Sequence, residues 1–149
     1  MRVALDTNVL VYAEGANGAA RRDAALDLVE RLPPGVTVLP AQTLGELFNV
    51  LVRKAGRPAA SARTAILNWR DAFPVVDTSA SVLARAADVA TDHRLSIWDA
   101  VILSAAADAE CRLLLSEDLQ EGFTWSGVTV TNPFATPRHE LLEALLLEE

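Results

Sequence analysis

The sequence predicts one α/β domain, spanning residues 1–149, in which helices cover both faces of a central, mostly parallel sheet. Two observations support this fold class. Short apolar runs alternate along the chain with longer stretches whose apolar residues recur at helical spacing. The chain is also long enough for a substantial core, and its hydrophobic fraction of 51% is typical of a globular protein.

The apolar runs predict strands, because they are too short for helices and are bounded by turn residues. The first run is apolar at consecutive positions, as expected of a strand that is buried on both faces of a parallel sheet. The five predicted strands are Arg2–Leu5, Val36–Leu39, Pro74–Val76, Leu113–Leu115 and Val128–Val130.

The stretches between these runs predict helices. In the second of them, Ala25, Leu28 and Leu32 follow the helical repeat, and a Pro-Pro-Gly sequence ends it. The predicted helices are Asn8–Glu14, Gly18–Leu32, Ala41–Lys54, Ala59–Ala72, Ser79–Asp92, Ser96–Glu110 and Pro137–Leu147. The stretch Glu117–Gly127 is predicted to be the longest loop.

Charge and cysteine content limit the functional classes. The formal net charge of −7 argues against a protein that coats nucleic acid with a basic surface. It is compatible with an acidic site filled by metal, because a bound cation reverses the local charge. Cys111 is the only cysteine, which fits a reducing compartment. We find neither a secretory signal nor an apolar run of about 20 residues, so we expect a cytoplasmic protein that does not enter a membrane.

Three acidic residues fall at or just beyond the predicted carboxyl ends of strands, the edge at which open α/β sheets bind ligands, and a fourth lies in a helix that precedes a strand. Asp6 and Asp118 follow the first and fourth strands, Glu46 lies early in the helix after the second strand, and Asp99 begins the helix before the fourth. Clustered carboxylates repel one another and need protons or cations to coexist at neutral pH. Oxygen ligands without histidine or cysteine favour Mg²⁺ or Mn²⁺.

Each of these acids also has a purely structural explanation. Asp6 could cap the helix that follows it. Glu46 stands three residues after Thr43, and Asp99 stands three residues after Ser96, which is the spacing of a helix capping box. The metal-site hypothesis therefore depends on the acids occurring together.

The densest basic cluster follows the helix that contains Glu46. Arg53, Lys54 and Arg57 are candidates for contacting substrate phosphates. A solvated helix end, where positive charge complements the helix dipole, explains the same residues at least as well.

The segments LDTNVLVYA, TLGELFNVL, LSIWDAVILSAA and LLLSEDLQEG together resemble the PIN-domain ribonucleases, and most of all the VapC-type toxins of bacterial toxin–antitoxin pairs. The resemblance extends from the first residues to about Pro133. It implies that Asp6, Glu46, Asp99 and Asp118 bind Mg²⁺ or Mn²⁺ and position the attacking water. The adjacent Glu117 leaves the last of these assignments open.

The resemblance carries further implications. Thr7, Asn8 and Ser116 would orient the metal ligands. The fold would be the three-layer PIN fold with a five-stranded parallel sheet, the substrate would be RNA, and the protein would form a homodimer and bind a cognate antitoxin that plugs the site. Two other hypotheses stay open. One is a catalytically silent PIN-like interaction module, and the other is a phosphotransfer domain that uses Asp6 as nucleophile.

Overall fold

The computed structural model describes residues 1–147, so the last two residues of the predicted domain lie outside the described part of the chain. The strands are β1 (Arg2–Leu5), β2 (Thr37–Pro40), β3 (Val75–Val76), β4 (Cys111–Leu115), β5 (Thr124–Trp125) and β6 (Val128–Thr131). The helices are α1 (Thr7–Ala13), α2 (Ala19–Arg31), α3 (Ala41–Arg53), α4 (Ala59–Ala72), α5 (Ala80–His93), α6 (Ile97–Asp108) and α7 (Glu140–Leu147).

The strands form one sheet in the order β3-β2-β1-β4-β6-β5. The five predicted strands are confirmed, and these five run parallel to one another. β1 is central, with β2 on one side and β4 on the other. Parallel pairing brings the carboxyl ends of these three strands to one edge of the sheet.

One strand was not predicted from the sequence. β5 lies in the stretch expected to be a loop and pairs antiparallel with β6 at the end of the sheet. It has only two residues and no apolar run. One of its contacts is with the next strand, where the Oγ1 atoms of Thr124 and Thr129 are 2.9 Å apart. Another is with a distant helix, since the Arg85 guanidinium of α5 lies 4.9 Å from the centroid of the Trp125 ring.

The two faces of the sheet are covered by different helices, which confirms the three-layer α/β prediction. Val3 and Leu5 of β1 point into a core shared with α1, α2, α3, α4 and α7. Ala4, between them, points into a second core built with α5 and α6. Alternation along a strand places successive side chains on opposite faces, so β1 is buried on both.

Of the two capping boxes that the sequence allowed, the structure contains only part of one. The Ser96 hydroxyl caps α6 by accepting a hydrogen bond from the Asp99 backbone N–H at 3.1 Å. The Thr43 hydroxyl instead donates to the Pro40 carbonyl at 2.7 Å, because α3 begins at residue 41 and Thr43 lies inside its first turn. Capping therefore does not account for Glu46.

The helices begin and end within three residues of their predicted bounds. The largest difference is at α7, which begins at Glu140, where the His139 ring nitrogen accepts a hydrogen bond from the Leu141 N–H at 3.1 Å. Across the described chain, every helix is too short or too polar to cross a bilayer.

Candidate acidic site at the carboxyl edge of the sheet

Asp6 connects the central strand to the first helix. Its backbone N–H donates to the Leu115 carbonyl at 3.0 Å, which extends the β1–β4 pairing past the end of the strand. α1 begins at the next residue, and a carboxylate oxygen of Asp6 accepts from the Thr7 N–H at 2.7 Å. Asp6 thus does cap α1, but it does so as a buried residue, only 4% exposed.

The side chains and backbone groups that donate hydrogen bonds to the Asp6 carboxylate are all neutral. Its Oδ2 accepts from the Ser116 hydroxyl at 2.6 Å and lies 3.3 Å from the Asn8 side-chain nitrogen. No lysine or arginine among residues 1–147 forms an ion pair with it. A buried carboxylate that is hydrogen-bonded but not neutralised is costly to keep ionised.

This cost appears in the acid–base properties of Asp6. Burial raises its pKa from 3.8 to about 6, although the hydrogen bonds from Ser116 and Thr7 oppose the shift. The charges of Asp99 and Glu46 raise the pKa further. These two acids are therefore close enough to act on Asp6 electrostatically, and three of the four predicted site acids share one region of the sheet edge.

Asn8 links Asp6 to the fourth acid. Its side-chain nitrogen lies 3.3 Å from each of three oxygens, which belong to Asp6, Ser116 and Asp118. The amide group has two hydrogens for these three acceptor oxygens, so at least two of the oxygens share one hydrogen. Its oxygen accepts from the Glu117 backbone N–H at 3.2 Å, which fixes the amide nitrogen toward the acids.

Glu46 is oriented by two side chains. The Thr7 hydroxyl donates to one carboxylate oxygen at 2.8 Å, and the Gln42 amide donates to the other at 3.0 Å. Thr7 therefore contacts Asp6 through its backbone and Glu46 through its side chain. It couples the positions of two acids that are 40 residues apart in the sequence.

A cleft of about 400 Å³ opens beside these residues, between α1 and α3. Thr7, Asn8, Glu46 and Asp118 contribute to its wall, and Lys54 contributes the basic group. Asp6 and Asp99 are not part of this wall. The cleft therefore presents two of the four acids directly.

The three basic candidates have different environments. Lys54 lines the cleft. Arg53 donates to the Asn49 side chain at 2.9 Å, and Arg57 donates to the Glu14 carboxylate at 2.8 Å. Of the three, only Lys54 contributes to the cleft wall.

Within the described residues 1–147, no three histidine, cysteine or acidic side chains converge closely enough to form a ready metal-binding group. The donor set nevertheless fits a hard divalent cation. It consists of carboxylate oxygens supported by hydroxyl and amide groups, and the buried charge of Asp6 has no cationic partner among residues 1–147. A divalent cation is the group that would compensate such charges.

Two networks near the site were not predicted from the sequence. In the first, Glu14 accepts from Arg57 and also from the Trp69 indole N–H at 2.9 Å, tying the end of α1 to α4. The second joins Tyr12, Arg21 and Glu117. The spacing of Asn8 and Tyr12, one helical turn apart, was a signal that Tyr12 shares the face of α1 that carries Asn8.

The second network distinguishes Glu117 from Asp118. Hydrogen bonds from Tyr12 and Arg21 hold the pKa of Glu117 below its ordinary value. Burial, together with the adjacent Glu117, raises the pKa of Tyr12 to about 12, so its hydroxyl remains a donor at neutral pH. Glu117 is therefore an ionised partner of Arg21, whereas Asp118 lies at the cleft.

The fold and the site together define a three-layer α/β domain with a cluster of acidic residues at the carboxyl edge of its central strand. Residues 3–121 match the family model of the PIN domain, and the chain belongs to that family. No curated protein matches the chain.

Several solved structures share the fold. The sarcin–ricin-loop-cleaving toxin VapC20 of Mycobacterium tuberculosis is 23% identical, with a TM-score of 0.66 over 78% of this chain and 89% of that chain. A toxin–antitoxin complex from Klebsiella pneumoniae is 21% identical, with a TM-score of 0.64 over 85% and 95% of the two chains. VapBC2 of Rickettsia felis, bound to promoter DNA, is 16% identical, with a TM-score of 0.64 over 89% and 98%.

Proposed function

We propose that this chain is a metal-dependent endoribonuclease and the toxin of a toxin–antitoxin pair. The observation that carries the proposal is the buried, uncompensated carboxylate of Asp6, which other acids surround at the carboxyl edge of the central strand. Membership of the PIN family and the likeness to toxin structures support the same conclusion.

Asp6, Glu46, Asp99 and Asp118 would hold the cation, which we propose to be Mg²⁺ or Mn²⁺. Such a cation activates water at neutral pH and neutralises charge that develops on the phosphate. The chain itself supplies the positions of the ligands. Thr7 orients Glu46, and Ser116 and Asn8 orient Asp6, through hydrogen bonds at 2.8, 2.6 and 3.3 Å.

Lys54 supports a role for the cleft in binding RNA. Its ammonium is the basic group in a wall that also carries Glu46 and Asp118. We propose that it contacts a substrate phosphate next to the one that is cleaved. Because the net charge of the chain is −7, recognition would depend on the shape of an exposed RNA loop rather than on a basic surface.

The same acidic site suits inhibition by a basic group. An antitoxin arginine could pair with the carboxylates and replace the cation, since guanidinium–carboxylate pairs are strong and geometrically specific. We propose such an antitoxin, and a homodimer as the active form. Copurification with the antitoxin and light scattering of the free toxin test these two points. A neutralised complex with no basic side chain near Asp6 would contradict the first.

The main test is RNA cleavage by purified protein. We expect cleavage with Mg²⁺ or Mn²⁺ that stops on chelation and falls by at least about 100-fold in Asp6→Asn and Asp99→Asn, because each removes a charged ligand. Asp88→Asn is the matched control, since Asp88 is an exposed acid on α5. Cleavage that persists in the folded Asp6→Asn, Asp99→Asn double variant would refute the proposed site.

A silent interaction module is the second candidate, and one observation favours it. The acids of the described chain are not preassembled into a metal-binding group. This alternative predicts no saturable Mn²⁺ binding by calorimetry. It also predicts that Asp6→Asn and Asp99→Asn leave antitoxin binding unchanged. The nuclease proposal predicts instead that these substitutions weaken both Mn²⁺ binding and antitoxin binding.

A further inference from the structure

Two adjacent acids follow β4, and the structure places them in different environments. Asp118 lines the cleft, with Oδ2 at 3.3 Å from the Asn8 side-chain nitrogen. Glu117 accepts hydrogen bonds at Oε1 from the Tyr12 hydroxyl at 2.7 Å and from Arg21 at 2.9 Å. The sequence alone left open which of the two belongs to the acidic site.

The groups around Glu117 form a closed arrangement, which we call the Glu117 clamp (Tyr12, Arg21 and Glu117). Arg21 also donates to the Tyr12 hydroxyl at 2.7 Å, and its guanidinium lies 4.8 Å from the centroid of the Tyr12 ring. The Tyr12 hydroxyl therefore accepts from Arg21 and donates to Glu117. The Tyr12 ring is buried and packs against Phe134 with 5.7 Å between ring centroids, so the hydroxyl has a fixed position.

The clamp also acts on the neighbouring backbone. The Glu117 N–H donates to the Asn8 side-chain oxygen at 3.2 Å, and the Asp118 N–H donates to the Ser116 hydroxyl at 3.2 Å. With its oxygen occupied in this way, Asn8 directs its nitrogen toward Asp6 and Asp118. The position of Glu117 and the orientation of the acidic site are thus connected through one amide.

We propose that Tyr12 and Arg21 are positioning residues that hold Glu117 out of the acidic site, so that Asp118 is the acid presented to a bound divalent cation. The part about the cation rests on the proposed function. The placement of Glu117 does not, because it depends only on contacts within the chain.

The test is a double-mutant cycle on Mn²⁺ affinity, measured by calorimetry. In the wild-type background, we expect Glu117→Gln to change the Kd by less than about twofold and Asp118→Asn to weaken binding about tenfold or more. In the Tyr12→Phe, Arg21→Gln background, the freed carboxylate can enter the site. Glu117→Gln should then weaken Mn²⁺ binding by about fivefold or more. The difference between the two backgrounds measures the coupling between Glu117 and the pair formed by Tyr12 and Arg21.

The controls separate this effect from a loss of charge or fold. Arg22→Gln removes a neighbouring arginine that pairs with the exposed Asp23 and should leave the effect of Glu117→Gln small. Thermal melting identifies the variants that fold. If the double variant does not fold, Arg21→Gln alone serves as the background, because Arg21 is half exposed and lies outside the core.

Two results would overturn the proposal. One is a Glu117→Gln effect that is equally small in both backgrounds, and the other is an effect in the wild type as large as that of Asp118→Asn. If the wild type binds no Mn²⁺, the proposed function fails. A crystal structure of the Tyr12→Phe, Arg21→Gln variant then tests whether the clamp holds Glu117 in place. Glu117 turned toward Asn8 and the cleft would support the clamp, whereas Glu117 still packed beside residue 12 would refute it.

Discussion

The buried carboxylate of Asp6 should reduce the stability of the metal-free protein at neutral pH. Its pKa in the folded protein, about 6, lies above the ordinary value of 3.8. A carboxyl group with a raised folded-state pKa binds its proton more tightly in the folded chain than in the unfolded chain. The stabilising contribution is therefore present below about pH 4 and is lost as the pH rises through about 6.

The size of this effect follows from the two pKa values. The gap between 3.8 and about 6 corresponds to a cost of about 3 kcal/mol once Asp6 is ionised. Asp6→Asn removes the charge but also removes one acceptor for the Ser116 and Asn8 hydrogen bonds, which costs about 1 kcal/mol. We therefore expect the variant to be about 2 kcal/mol more stable than the wild type at pH 7.5, with a melting temperature higher by about 5 °C.

Urea unfolding in the presence of a chelator measures this difference. At pH 7.5 the variant should be more stable, and the advantage should vanish by about pH 4, where Asp6 is protonated. Addition of Mn²⁺ should stabilise the wild type, by about 2.7 kcal/mol at 100 times the Kd, and should leave the variant unchanged. Asp88→Asn controls for general charge removal. A variant that is less stable than the wild type at pH 7.5, or a difference that does not depend on pH, would refute the reasoning.

Three further predictions concern residues around the site. Thr7→Val removes the hydroxyl that orients Glu46 and should weaken Mn²⁺ binding about tenfold, whereas Thr7→Ser should restore it; equal affinities would show that the hydrogen bond is unimportant. Lys54→Ala should raise the KM for RNA more than it lowers kcat. It should also reduce the slope of log affinity against log salt concentration by about one, as expected for the loss of one phosphate contact. Arg63→Ala is the control, because Arg63 is exposed. Glu14→Ala leaves a guanidinium and an indole N–H without their acceptor, so the free energy of unfolding should fall by about 2 kcal/mol in urea denaturation.

The central part of the site could be predicted from the sequence because it depends on local pattern. An apolar run that ends in an acid and continues as a helix places that acid at the carboxyl end of a strand, and the structure places Asp6 there. The same local reasoning allowed a capping box at Glu46. It was wrong because the helix begins one residue after Pro40, which leaves Thr43 bonded to a backbone carbonyl rather than capping.

The remaining parts depend on contacts between distant segments. Arg57 is a basic residue after a helix in the sequence, but its partner Glu14 is 43 residues away. Glu117 and Asp118 are equivalent in a one-dimensional pattern, and the difference between them comes from Tyr12 and Arg21 on other elements. No periodicity encodes these pairings, because they arise only when the sheet brings the elements together.

The central position of β1 has a consequence for protein synthesis. Its second neighbour, β4, begins at Cys111, and the Ser116 hydroxyl that holds Asp6 follows that strand. A growing chain that has not yet reached these residues carries Asp6 and Glu46 but lacks both the strand that pairs with the second edge of β1 and the loop that bears Asp118. The acidic site can therefore form only after the chain has been synthesised beyond Asp118, and a shorter nascent chain carries some of its acids without the assembled site.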